Sequence, residues 1–197
     1  MSNIRDDTIG GFNTFLADQR DEPGRATVSL YDFNTSVERV YRGETLKHAP
    51  ELNADTYRPG GRTALHDALT TAITDTHRHL DQLPTSSRPE SVVIVTLTDG
   101  KENASETPQE HVRELVKEHR EEHGWEFLFI GANQDAALTA DQMGMDTQKS
   151  LNMSHSGDGT RAAYESTSQR VSETRREGKT VGYTDEDRQR QTDADRS

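Results

Sequence analysis

Apolar side chains are sparse along this chain, but their spacing changes in ways that mark out elements. Ile9, Phe12 and Leu16 recur at helical spacing, so residues 3–19 read as a helix. Gly10 and Gly11 sit inside it, each at a cost of about 1 kcal/mol relative to Ala, which suggests close packing on something flat. Residues 26–33 (ATVSLYDF) and 37–42 (VERVYR) read as two strands joined through Asn34 and Thr35. A loop containing Pro50 and Pro59 ends at Gly60 and Gly61, and Leu65, Leu69, Ala72, Ile73 and Leu80 then mark the buried face of a helix over 64–80. Residues 92–97 (VVIVTL) form the kind of apolar run expected of a strand covered on both faces.

Thr107, Pro108 and Glu110 offer a capping box with proline at the first helical position. Val112, Leu115, Val116 and His119 continue that helix, and Gly124 ends it. Residues 127–130 (FLFI) make another buried strand, followed by a helix over 134–143, a short strand over 150–153 and a last helix through Ala162, Ala163 and Tyr164 to about Arg176. From 178 onward no apolar periodicity remains. Strand and helix in alternation predict an α/β domain with a doubly wound, Rossmann-like sheet over residues 1–176, and a disordered, polar and acidic tail over 177–197.

Composition pulls the other way. Leu, Ile, Val and Phe number 33 of 197 residues, a share found in disordered chains; the pattern overrides it for all but the tail. With 35 Asp+Glu against 23 Lys+Arg and a net charge of −12, the surface repels a phosphate backbone, so nucleic acid is excluded as a partner. The 5 Lys against 18 Arg suit a salt-rich cytoplasm, where cations screen the self-repulsion. There is no cysteine, hence no thiolate chemistry and no disulfide. No apolar run approaches a membrane span and the N-terminus is polar, so the expectation is a cytoplasmic protein without membrane contact.

Two segments carry candidate chemistry. GGRTALHDAL (60–69) delivers Thr63 to the start of a helix, and VVIVTLTDGKENAS (92–105) delivers Asp99 to the carboxyl end of a buried strand. Open α/β sheets bind ligands there, and a hydroxyl and a carboxylate converging suit Mg²⁺ or Mn²⁺. Together with SNIRDDTIGGFN in the first helix and WEFLFIGANQD further on, these segments resemble the von Willebrand factor type A domain family over nearly all of residues 1–176. The resemblance implies a metal-ion-dependent adhesion site in which Thr63 and Asp99 are two of five ligand positions. It implies cation-dependent binding of a protein partner that presents an acidic residue to the metal, and no enzymatic activity.

The chain departs from that family in one respect. The DxSxS motif, which supplies an aspartate and two serines from the first strand, is absent, and Met1 falls where the residue after that motif stands. The family's first strand is central to the sheet, so the strands at 26–33 and 91–98 are left with unpaired inner edges; the sheet must close, or something must fill the gap. Losing such a strand should cost more than the ~5–15 kcal/mol that stabilises a domain, so the protein is expected to begin upstream of Met1. With Thr63 and Asp99 alone, Mg²⁺ or Mn²⁺ is held weakly or not at all, and the alternative is a metal-independent interaction module with a degenerate site. Ser2, Asp6 and Asp7 read as helix-start residues, not substitute ligands.

A reading from another class is a zinc hydrolase through His119, Glu122 and His123 (HREEH), a pattern of inverted zinc proteases. Both histidines share a helix face, but they sit in the last helical turn, where the dipole favours them, and the sequence nominates no third ligand. His77 and His79 point apart on their helix. His66 and Asp67 follow Thr63 closely enough to reach the same rim, where Asp67 could lend support, but Asp67 reads first as a solvated helix-start acid. There is neither a GxGxxG nor a P-loop.

Overall fold

In the computed structural model, which describes residues 4–196, helix α1 (Arg5–Asp21) leads into a hairpin of β1 (Thr27–Phe33) and β2 (Val37–Thr45). Then come α2 (Leu65–Asp81), β3 (Val93–Thr98), α3 (Gln109–Glu122), β4 (Glu126–Ala132), α4 (Ala136–Gln142), β5 (Ser150–Met153), α5 (Gly157–Glu177) and α6 (Asp185–Ala194). The α/β alternation is as expected.

The core is organised by β4, whose seven residues are all buried. Successive strand residues face opposite sides of a sheet. Phe127 and Phe129 join Leu65, Leu69 and Ile73 of α2 and Val112 and Val116 of α3 on one side. Leu128, Ile130 and Ala132 join Leu151, Met153 and Ala163 on the other. A third cluster gathers Phe12 and Leu16 of α1 with Leu46, Ala49 and Leu52. Gly11 is the close contact anticipated: it lies against the Tyr164 ring of α5, whereas Gly10 faces nothing within 4 Å.

The sheet does not close across the gap. β1 pairs only with β2, antiparallel, and β3–β4–β5 form a separate parallel sheet. β3 was expected to be covered on both faces; instead Val93, Ile94 and Leu97 are half-buried and Val95 is 40% exposed, because the strand has a neighbour on one edge only. Between β1 and β3 runs a cavity of about 1910 Å³.

Two further expectations are corrected. Residues 178–196 are not a solvated tail. Thr184 caps α6 in a reciprocal capping box with Asp187, Tyr183 is buried with its hydroxyl 2.9 Å from Thr167 Oγ1, and Gln191 bonds Ser154 N and Gly159 O. The helix hides from apolar periodicity because the side chains it buries, Asp187 and Gln191, are polar and held by hydrogen bonds. The capping box at Thr107 does not form either. Pro108 occupies the N-cap without a side-chain bond, because Asp67 takes the Thr107 N–H at 2.9 Å.

Candidate functional site

The carboxyl ends of β1 and β3 meet at the start of α2. Ala64 N donates to Asn34 O at 2.7 Å, just past β1. Thr63 N donates to Asn103 Oδ1 and Asn103 N returns to Thr63 O, both at 3.0 Å. A Cβ on Gly100 would collide with Thr63 Oγ1, so the threonine hydroxyl lies against the residue that follows Asp99. The structure thus brings the two predicted site residues together at one rim. Asn133, the one non-glycine described residue with positive φ (58°), reaches the Asp99 carbonyl at 3.4 Å and His155 Nδ1 at 3.2 Å.

Two carboxylates hold this rim, and of these the sequence reading weighed Asp67 but not Glu102. Glu102 accepts from Ala104 N and Ser105 N at 2.8 Å, Ser105 Oγ at 2.7 Å and His66 N at 3.1 Å. Asp67, expected to be solvated, accepts from Glu106 N at 3.0 Å and Thr107 N at 2.9 Å. The two carboxylates staple the 100–107 loop to the first turn of α2. Burial works against the charge on each, but the converging donors outweigh it and hold both carboxyls below their usual range.

As a Mg²⁺ or Mn²⁺ site this rim does not fit. Near-octahedral Mg²⁺ needs about six oxygens, and the chain offers Thr63 and Asp99. Asn103 Oδ1 is spent on Thr63 N–H, and both Glu102 oxygens are spent on the loop. Ser2 lies outside the described residues; Asp6 is exposed in the first turn of α1, and Asp7 pairs with Arg161 at 2.6 Å.

Behind the rim runs the channel between β1 and β3. α1 and α5 cover one face through Phe12, Phe15 and Tyr164, α2 covers the other through Leu69, Ala72 and Leu80, and the walls are the edges of β1 and β3. Among the described residues neither edge has a strand partner.

At the opposite pole, where α2 and α3 end, lie the histidines weighed as a zinc motif. His119 is 3% exposed; burial, with His77 and His123 nearby, lowers its pKa against the pull of the Leu115 carbonyl. The third partner missing from the sequence reading is His77, from α2. His79 points away, toward Gly43.

By sequence the chain matches no protein-family model and no curated protein. Among solved structures it is similar to proximal thread matrix protein 1 from the mussel byssus, with a TM-score of 0.59 at 15% identity over 84% of this chain and 43% of that one. A second crystal form of that protein gives 0.56 at 17% identity over 84% and 44%. The likeness is one of fold. It bears out the α/β architecture with helices flanking small sheets, and this chain spans less than half the length of that protein. No helix among the described residues is long and apolar enough to cross a membrane.

Proposed function

We propose that the chain is a von Willebrand type A-like interaction module, not an enzyme, whose binding element is the channel between β1 and β3. The occupant is an extended, apolar segment added as a strand: the one expected upstream of Met1 where the protein carries it, and a segment of a protein partner where it does not. The carrying observation is the pair of facing, unpartnered strand edges. Unpaired backbone N–H and C=O groups are a template for another chain, and here two rows face one slot. β1 and β3 have seven and six residues, which sets the length of the segment at six or seven. Helices lie above and below, so apolar side chains suit both faces of the added strand.

The test is selection of peptides from a random twelve-residue display library on the immobilised protein, then titration of the winners as synthetic peptides. Apolar, β-branched stretches should emerge. N-methylation of alternate residues, which removes ladder donors, should cost at least tenfold in affinity, and Ala72→Trp, which fills the channel floor, should abolish binding. Peptides that tolerate both changes would show that they bind elsewhere and refute the reading.

The meeting of Thr63 and Asp99 favours a second, cation-dependent version, in which the incoming segment brings the remaining oxygen ligands for Mg²⁺ or Mn²⁺. It requires that a chelator weaken peptide binding and that Thr63→Ala and Asp99→Ala do the same. Binding indifferent to all three leaves the metal-independent form.

A further inference from the structure

The end of α2 and the last turns of α3 place three imidazoles together. His119 lies in the last turn of α3 and His123, its C-cap residue, one turn further on, and His77 comes across from α2. Their ring centroids form a nearly equilateral triangle, with sides of 5.0 Å (His77–His119), 5.0 Å (His77–His123) and 5.1 Å (His119–His123). A ligand nitrogen from each lies within 4.8 Å of the other two. Three imidazoles aimed at one ion with Zn–N of about 2.0–2.1 Å have centroids about 5 Å apart.

Hydrogen bonding outside the triangle decides which nitrogens face inward. His119 Nδ1 lies 2.8 Å from Leu115 O, so it carries the proton and Nε2 is left as a lone pair. His77 Nδ1 meets that Nε2 at 2.9 Å as a hydrogen-bond donor, while its Nε2 lies 3.3 Å from Asp81 Oδ2. The other tautomer of His77, with its proton on Nε2 toward Asp81, turns both inner nitrogens to a shared ion. A tetrahedral zinc edge is about 3.3–3.4 Å, so a few tenths of an ångström of opening admits the ion. Carbonyl and carboxylate partners on the far nitrogen are the usual way a ligating histidine is oriented. Packing against Trp125 (4.6 Å from the His119 ring) accounts for the burial of His119, but not for the convergence of three imidazoles.

We propose that His77, His119 and His123 form a three-histidine site for Zn²⁺ that ties the end of α2 to the end of α3. Imidazole donors select Zn²⁺ over Mg²⁺ or Ca²⁺. The carboxylates of Glu118 and Glu122 cluster with His123 within the same 4.8 Å limit and offset the charge of the ion. A recess of about 470 Å³ lined by His77, His119, Glu118 and Asp81 gives it access to solvent. The site stands apart from the channel, so it holds or falls independently of the proposed function.

The experiment uses the untagged, metal-stripped chain with ZnCl₂, and CoCl₂ as a spectroscopic probe. At a free Zn²⁺ concentration of 100 times Kd the melting temperature should rise by roughly 5–10 °C. Co²⁺ should give tetrahedral absorption at one equivalent, and Cu²⁺ should quench Trp125, the single tryptophan. His123→Ala, at an exposed position, should fold normally and lose at least tenfold in affinity. Asp81→Asn, which removes the charge beside the far nitrogen of His77 and its pairing with Arg88, should lose about 10–100-fold. His111→Ala, on the same helix but outside the cluster, should change nothing. No thermal shift in the parent chain, or a shift that survives both His77→Ala and His123→Ala, would overturn the proposal.

Discussion

Alanine at Gly10 and at Gly11, made separately, measures how closely α1 lies on α5. Both positions are mid-helix, and each Gly→Ala change gains about 1 kcal/mol of helix propensity. At Gly10 nothing opposes the gain, since no atom lies within 4 Å of the added Cβ; the expected rise in melting temperature is about 2–4 °C for a chain of this size. At Gly11 the Cβ would meet the Tyr164 ring, with Cγ and Cε2 at 2.9 Å against about 3.5–4.0 Å for relaxed carbon contacts. A planar ring cannot fold out of the way, so the helices must separate, at about 1–3 kcal/mol. The net result is a loss of up to about 2 kcal/mol, leaving the two neighbouring variants about 1–3 kcal/mol apart. Urea unfolding with an unchanged m-value isolates the stability term. In a Tyr164→Ala background the Gly11→Ala penalty should vanish, a coupling within the 0.5–3 kcal/mol range for residues in contact. Equal stabilisation by both substitutions would refute the packing of α1 on Tyr164.

Two other outcomes are expected. Asp67 and Glu102 have folded-state pKa values below their ordinary 3.8 and 4.5, so their stabilisation is complete above those values and drains away as the pH falls through the depressed ones; Glu102→Gln should flatten an acid-unfolding profile below about pH 4.5 and cost roughly 1–3 kcal/mol at pH 7. Deleting residues 180–197 removes buried Tyr183 and the Asp187 partner of buried Arg170, 3.9 Å away; burial of the ring alone is worth about 1.5–3 kcal/mol, so thermal unfolding should come at least about 3–6 °C earlier, and an unchanged melting temperature would contradict the packing of α6.

Apolar spacing made the helices and strands legible wherever burial is apolar. The FLFI run announced β4, and Leu65, Leu69 and Ile73 announced the face α2 turns to it. The same logic missed α6, whose contacts with the core are a carboxylate and an amide, because periodicity counts only apolar positions. At the rim, Thr63 and Asp99 were recognisable from their segments. The Glu102 clamp was not, and Asp67 only as a neighbour of Thr63, since each bonds partners that a fold-back across 36–40 residues brings close. His77 illustrates the same limit. On its own helix it is an isolated histidine; only the packing of α2 on α3 sets it opposite His119, and nothing in linear order encodes a distance of 2.9 Å.

In the role proposed for it, the roofed channel would also filter the state of whatever enters. With α1 and α5 over one face and α2 over the other, a folded neighbour cannot bring its own sheet edge to β1 or β3, and aggregation through these edges is blocked by the same helices that hold them open. Bare chain can thread between them. The carboxyl ends are tied together at Asn34, Thr63 and Asn103, so admission is governed by the untied end and by how readily a visitor straightens. Capture of the proposed kind should be slow compared with the meeting of two rigid surfaces, so the rate of entry, and not affinity alone, would mark this mode of binding.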